Sequence, residues 1–337
     1  MEHYCTLFDS NYLTRGLALY RSLVKSGDSF HLHIFAFDDL TTKVLKEYNL
    51  KHATVITLPE FETEELLSVK KERTPVEFCW TSTPHVIRHI LDNNDIDRGT
   101  YLDADLYFFN KPSIIMDEFT ESNKSILLTE HRYTPKYDNT ERVGVYNVQF
   151  MTFNKDNAGL SALQWWQDRC IEWCYNRFED GKMGDQKYLD DWATRFQGSV
   201  HVLQHQGGGL APWNIQQYDL VEEKIQGGAE FSTSSVRVSN ISTQEVFPVI
   251  FYHFHGLKLF NDGLVQLHNN ELPKELKKRL YYPYIGELVD LTREIKEKGY
   301  HFDPNATVDV SKFRFWKYHS LKGRFTANIE SIKKIAR

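Results

Sequence analysis

Apolar positions in the first sixty residues change period several times. Residues 4–8 form a short, mostly apolar run that ends in the turn cluster Asp9-Ser10-Asn11. Leu13, Leu17, Tyr20, Leu23 and Val24 then return at helical spacing. Residues 31–37 read as a second strand stopped by Asp38-Asp39, residues 41–48 as a helix, and residues 54–58 as a third strand. Short apolar strands alternating with amphipathic helices predict a β-α-β-α-β start: an α/β fold with a mixed, mostly parallel sheet flanked by helices.

Further along, residues 86–91 read as a helix, and residues 100–102, 125–128, 148–153 and 249–253 as short strands. Residues 160–178 predict a long aromatic helix carrying Trp165, Trp166 and Trp173. Gly207-Gly208-Gly209 marks a loop, and residues 272–298 a charged helix interrupted near Pro283. These patterns divide the chain into a catalytic domain over residues 1–265 and a helical, basic-aromatic extension over residues 266–337.

Composition narrows the class. The chain has 337 residues, 41% hydrophobic and 14% aromatic, which supports a sizeable core rather than disorder. A net charge of −6 does not suggest a nucleic-acid partner. Cys5, Cys79, Cys170 and Cys174 lack the spacing of a zinc site or a disulfide framework, so reduced thiols are expected. No basic stretch followed by an apolar one opens the chain, and no run reaches the roughly 18 apolar residues that span a bilayer. The expectation is a cytoplasmic protein, with a peripheral contact at the inner face of the membrane. That contact falls on residues 311–337, where eight lysines and arginines stand against Glu330 with Phe315, Trp316 and Tyr318 interleaved. Such a segment suits an anionic lipid surface; a solvated helix packed through Phe315 and Trp316 is the alternative.

The candidate chemistry centres on Asp103-Ala104-Asp105, set between Tyr101-Leu102 and the apolar run Leu106-Tyr107-Phe108-Phe109. Two carboxylates in apolar surroundings are costly to bury without a partner, and a divalent cation is an economical one. Hard oxygen ligands suit Mg²⁺ or Mn²⁺, ions that bridge diphosphate oxygens. His253 in Phe251-Tyr252-His253-Phe254-His255-Gly256-Leu257-Lys258 offers a third ligand, and an imidazole favours Mn²⁺; His255 is the alternative ligand. Lys258 supplies a positive charge for phosphate. Dinucleotide and P-loop glycine motifs are absent.

These segments together resemble a GT-A glycosyltransferase, and most closely the retaining glycosyltransferase family 8. The resemblance is carried by residues 5–12, by Arg88 upstream of Leu102-Asp103-Ala104-Asp105, by Tyr146-Asn147-Val148-Gln149, by Gly184-Asp185-Gln186 and by residues 253–258. It implies that Asp103, Asp105 and His253 hold Mn²⁺ (or Mg²⁺) against the donor diphosphate. It also implies that Thr6, Asp9 and Tyr12 hold base and ribose, that Arg88 and Lys258 neutralise phosphate, and that Asn147, Asp185 and Gln186 line the sugar pocket near the anomeric carbon. The implied donor is a UDP-hexose and the implied acceptor a glycan or glycolipid. Gln149 stands where the family has glycine, placing a bulky amide where a sugar pocket usually leaves space; the final motif is one residue shorter than the family's. Trp213-Asn214 and residues 130–133 are candidates for sugar contact. A D-x-D phosphatase-like hydrolase and a sugar-nucleotide-binding protein without turnover are the competing functions.

Overall fold

A computed structural model describes residues 1–221, 236–312 and 328–335. Its centre is a seven-stranded sheet built from β1 (Glu2–Phe8), β2 (Phe30–Ala36), β3 (Ala53–Thr57), β4 (Arg98–Leu102), β6 (Ile126–Glu130), β7 (Tyr146–Asn154) and β8 (Val200–Val202), in the order β3-β2-β1-β4-β7-β6-β8. β7 alone among these runs antiparallel to its neighbours; the pairs β1/β2, β2/β3, β1/β4 and β6/β8 are parallel. The predicted mixed, mostly parallel α/β fold is therefore what forms.

Alternation of side chains feeds two cores. Tyr4 and Phe8 of β1 pack in one hydrophobic cluster, Cys5 and Leu7 in the other. The first cluster also takes the helices Leu13–Ser26 and Lys274–Glu297; the second takes Pro75–Asn93 and Asn157–Glu172. With both sheet faces covered, the strands read as apolar runs rather than as a clean alternation.

Several boundaries differ from those expected. The helix over Pro75–Asn93 starts earlier than residue 86, because Thr74 and Glu77 form a capping box and Pro75 occupies the first turn. The aromatic helix covers Asn157–Glu172 and not residues 160–178: Asp156 caps it through the Gly159 N–H, and Trp173 leaves helical geometry at φ −157°. The helix Lys274–Glu297 runs uninterrupted through Pro283. A proline inside a helix costs about 3 kcal/mol. Here Leu280, Tyr281, Tyr284 and Ile285 are buried around it, with Tyr284 stacked 3.8 Å from Phe254, and that packing offsets the cost. Glu287 on the same helix ion-pairs with Arg21 at 3.0 Å and with Lys25. The start of the expected extension is thus part of the main core.

Residues 313–327 and 336–337, most of the basic-aromatic segment, lie outside the described residues. Of its remainder, Ile329–Ser331 adds a strand beside Leu264–Gln266. No helix among the described residues is long and apolar enough to cross a membrane.

Candidate functional site

The chain leaves the sheet at the carboxyl end of β4, where Asp103 N donates to Gln149 O of β7 at 2.9 Å. A tight turn closed by Leu106 N to Asp103 O follows, and β5 (Leu106–Phe108) then pairs antiparallel with Phe251–His253. That pairing sets His253 opposite Leu106 and against both carboxylates. His253 Nε2 lies 3.1 Å from Asp105 Oδ1 and 3.7 Å from Asp103 Oδ2. Ligand atoms of Asp105, His253 and His255 lie within 4.8 Å of one another.

Burial governs the ionisation here. It pushes the Asp103 carboxyl above the usual range; Asp105 adds to this, while His253 opposes it. For Asp105, burial acts the same way, but the charged His253 ring beside it wins and holds the group low. His253 is raised, since the two carboxylates overcome the burial that would neutralise it. Among the described residues, no lysine or arginine ion-pairs with either carboxylate, and His253 is their charged partner. The Asp105 carboxylate and the imidazoles of His253 and His255, with Asp103 Oδ2 3.7 Å from His253 Nε2, fit a divalent cation with oxygen and nitrogen ligands. Arg15 sits behind them: buried, it donates to Leu257 O and Asn305 O and stacks 4.5 Å over the Tyr12 ring.

In front of the cluster opens a cavity of about 680 Å³. Asp103, Asn147, Asp185, Gln186 and His253 all line it, so these sequence-predicted residues are brought together. Trp213 and Tyr133, candidates for sugar contact, line it as well. The Trp213 indole donates to His131 O at 2.9 Å and meets the His253 ring edge-on at 5.4 Å. Burial and the nearby Asp103 carboxylate raise Asp185 to about 8. His268, Asn270 and Trp80 line the cavity too and carry no motif that sequence alone could flag.

Thr6, Asp9 and Tyr12 stand at the carboxyl end of β1, next to β4. The Thr6 hydroxyl is buried without a hydrogen-bond partner. Tyr12 faces Asp105, Asp103 and Asp9. Asp9 already accepts from the Asn11 backbone and side chain, so it also shapes the turn. Lys258 is exposed, on the same side as His268.

Two residues lie elsewhere than expected. Arg88 is not brought to the cluster: its guanidinium pairs with Asp92 at 2.7 Å, one helical turn on, and lies over Leu160, Gln164 and Asp168 of the neighbouring helix. Gln149 does not crowd the cavity. Its side chain is fully buried beside His253, with Oε1 2.8 Å from Nδ1, and is not among the residues that line the cavity.

The chain is 30% identical to "Uncharacterized protein YfnF" of Bacillus subtilis (strain 168) over 298 residues, 86% of this chain and 90% of that protein. It belongs to the YfnF family. "Uncharacterized protein YfnD" of the same organism is 29% identical over 301 residues, 87% of this chain and 91% of that protein. No protein-family model matches the chain. Solved structures similar to it include the galactosyltransferase LgtC with donor and acceptor sugar analogues (14% identity, TM-score 0.48, 75% of this chain and 87% of that one). Others are mouse xyloside xylosyltransferase 1 (15%, 0.39, 60% and 84%) and a glycosyltransferase involved in the glycosylation of the major capsid of PBCV-1 (12%, 0.42, 76% and 94%).

Proposed function

We propose that this member of the YfnF family is a metal-dependent glycosyltransferase of GT-A type, transferring a hexose from a UDP-sugar to a glycan or glycolipid with retention of configuration. The observation that carries this is the cluster of half-buried Asp103 with buried Asp105 and His253 at the carboxyl end of β4, opening on a cavity of about 680 Å³ walled by Asn147, Asp185, Gln186 and Trp213. In open α/β sheets, ligands bind beyond the carboxyl ends of the strands. The pocket combines aromatic faces for stacking with amides and carboxyls for hydroxyl recognition.

In this reading Asp103, Asp105 and His253 hold Mn²⁺, with Mg²⁺ as substitute, and the bound ion supplies Lewis-acid stabilisation of the departing diphosphate. Thr6 and Tyr12 sit on the segment that receives base and ribose, Tyr12 being the exposed one of the two. Asp9 steadies that loop, and Lys258 offers a cation to phosphate. Asp185, whose carboxyl is raised by burial and by Asp103, can hydrogen-bond a sugar hydroxyl while Asn147 and Gln186 fix the ring. A membrane contact through residues 311–337 would bring a lipid-linked acceptor within reach; flotation with anionic vesicles tests it, and binding unchanged by deletion of that segment sinks it.

A calorimetric and thermal-shift titration with UDP, with and without Mn²⁺, tests the main reading. A ligand at about a hundred times its Kd stabilises the native state by about 2.7 kcal/mol. Binding that requires the ion, followed by UDP release from a UDP-hexose, is the expected result. No UDP binding together with phosphate release from p-nitrophenyl phosphate would replace it with the hydrolase; tight binding without turnover would leave a binding protein.

A further inference from the structure

Gln149 is an amide within β7 with no exposed surface. It touches the cation cluster twice. Its carbonyl oxygen accepts from Asp103 N at 2.9 Å, and its side-chain Oε1 lies 2.8 Å from His253 Nδ1. It also reaches the sugar side, since Gln149 N donates to Asn147 Oδ1 at 2.8 Å and Asn147 Nδ2 meets His131 Nε2 at 2.9 Å. One strand residue therefore links both carboxylate-side and cavity-side groups.

The direction of the amide decides what His253 can do. With Oε1 toward the ring, Nδ1 carries a hydrogen and Nε2 is the atom left facing Asp103 and Asp105. Turned about, the amide would donate to an Nδ1 lone pair, Nε2 would carry the hydrogen, and no lone pair would remain for a cation. The first direction is the one present. The His253 ring lies with Nε2 3.1 Å from Asp105 Oδ1 and Nδ1 2.8 Å from Gln149 Oε1, so a hydrogen on either nitrogen meets an acceptor, while Gln149 Nε2 is buried without a hydrogen-bond partner in a space where a Cβ on Gly209 would lie 3.3 Å away. Gly209, at φ +93°, is the residue whose missing side chain leaves this room. That joins two sequence features the motif pattern left unused, the glutamine in a strand and the triple glycine.

We infer that Gln149 is the positioning residue of the cation site: by accepting the Nδ1–H of His253 it fixes the ring so that Nε2 is the ligating atom beside Asp105. This rests on the reading that a divalent cation binds there. Partners of this kind orient a ligating imidazole and raise its basicity, and their loss costs about 10–100-fold in metal affinity.

The test uses the full chain as wild type, Gln149→Leu and Gln149→Glu. Free Mn²⁺ is followed by electron paramagnetic resonance, and ¹⁵N-labelled histidines by long-range nitrogen–proton correlation with Mg²⁺ bound. The expected result is Mn²⁺ affinity weakened about 10–100-fold in Gln149→Leu and kept in Gln149→Glu, which retains the acceptor. The His253 spectrum of the wild type should carry its proton on Nδ1. Equal affinity in Gln149→Leu, or a proton on Nε2 with the ion bound, overturns the inference while leaving the cation site standing. A wild type that binds no Mn²⁺ overturns the cation reading and this inference with it. Should Gln149→Leu not fold, the wild-type nitrogen spectrum still decides.

Discussion

Two groups of imidazoles lie at opposite ends of the same parallel strands. At the amino ends, His3 of β1 and His31 and His33 of β2 pack with ring centres 4.8–5.7 Å apart, and His3 Nδ1 meets His33 Nε2 at 3.1 Å. All three are held below the ordinary histidine value, His33 at about 3, by burial first and by the neighbouring imidazoles next. The nearest carboxylate, Glu2, is engaged by Arg98 through two hydrogen bonds. At the carboxyl end of β4, His253 is as buried as His33 yet raised, because Asp105 and Asp103 face it with no arginine between. Clustering of histidines is thus not what makes a cation site. What separates the two is the carboxylate beside the ring: Glu2 is taken by Arg98, whereas among the described residues neither Asp103 nor Asp105 ion-pairs with an arginine or lysine.

Removing a carboxylate should break that difference most severely. On the proposed reading Asp105→Ala removes a ligand of the cation, and should cost about 10²–10³-fold in Mn²⁺-dependent UDP-hexose turnover. His33→Asn should leave turnover within a few-fold, since the amino-end cluster has no part in the site. Steady-state UDP release compares them; comparable losses would erase the distinction between the two ends.

Next in size is the loop behind the site. Gly209→Ala forces a side chain into a left-handed position and against the Gln149 amide, with an expected cost of about 1–3 kcal/mol in urea unfolding and a further loss of Mn²⁺ affinity. Nothing at the amino-end histidines depends on such a loop, for they sit on regular strands.

The two ends should also pull stability in opposite directions with pH. Folding lowers the His33 pKa, so the unfolded chain takes up its proton first as pH falls below 6.5, and stability is lost from there toward about 3. Folding raises the Asp185 pKa, so its contribution is whole below 3.8 and is lost as pH climbs toward about 8. Each slope is at most about 1.4 kcal/mol per pH unit. Urea midpoints in EDTA from pH 4 to 8 should show His33→Asn flattening the acid limb and Asp185→Asn flattening the decline toward pH 8. Parallel curves for both variants and wild type would refute the assignment.

Much of this contrast was legible in the sequence. Residues 4–8, 31–37 and 100–102 alternate with helical segments, and that spacing carried the parallel half and the Asp103 turn at its strand end. The antiparallel course of β7 was not legible, because a strand buried on both faces looks the same in either direction. The pairing of β5 with Phe251–His253, which chooses His253 to meet Asp105, spans well over a hundred residues and leaves no local trace. Pro283 misled because its local penalty was visible and the packing that offsets it was not. Gln149 was noticed as an odd residue, but its sequence position said nothing of which way the amide would turn.

The smallest effect sharpens the comparison by separating two arginines. Arg88 lies in the order of motifs where a phosphate-binding arginine was expected, yet Asp92 four residues on offered the simpler partner. An exposed pair at that helical spacing is worth about 0.3–0.5 kcal/mol. Arg88→Ala should therefore change stability by no more than that and leave UDP affinity within about twofold, since a 1.4 kcal/mol contact would be needed for tenfold. Arg15→Ala is the contrast, because its buried guanidinium satisfies Leu257 O and Asn305 O behind Asp105. Two carbonyls left unpaired cost about 1–3 kcal/mol each, and the Tyr12 ring would lose its stacked partner. A UDP titration in which Arg88→Ala is the more damaging of the two would return the phosphate role to Arg88 and require the helix Pro75–Asn93 to turn toward the site on binding.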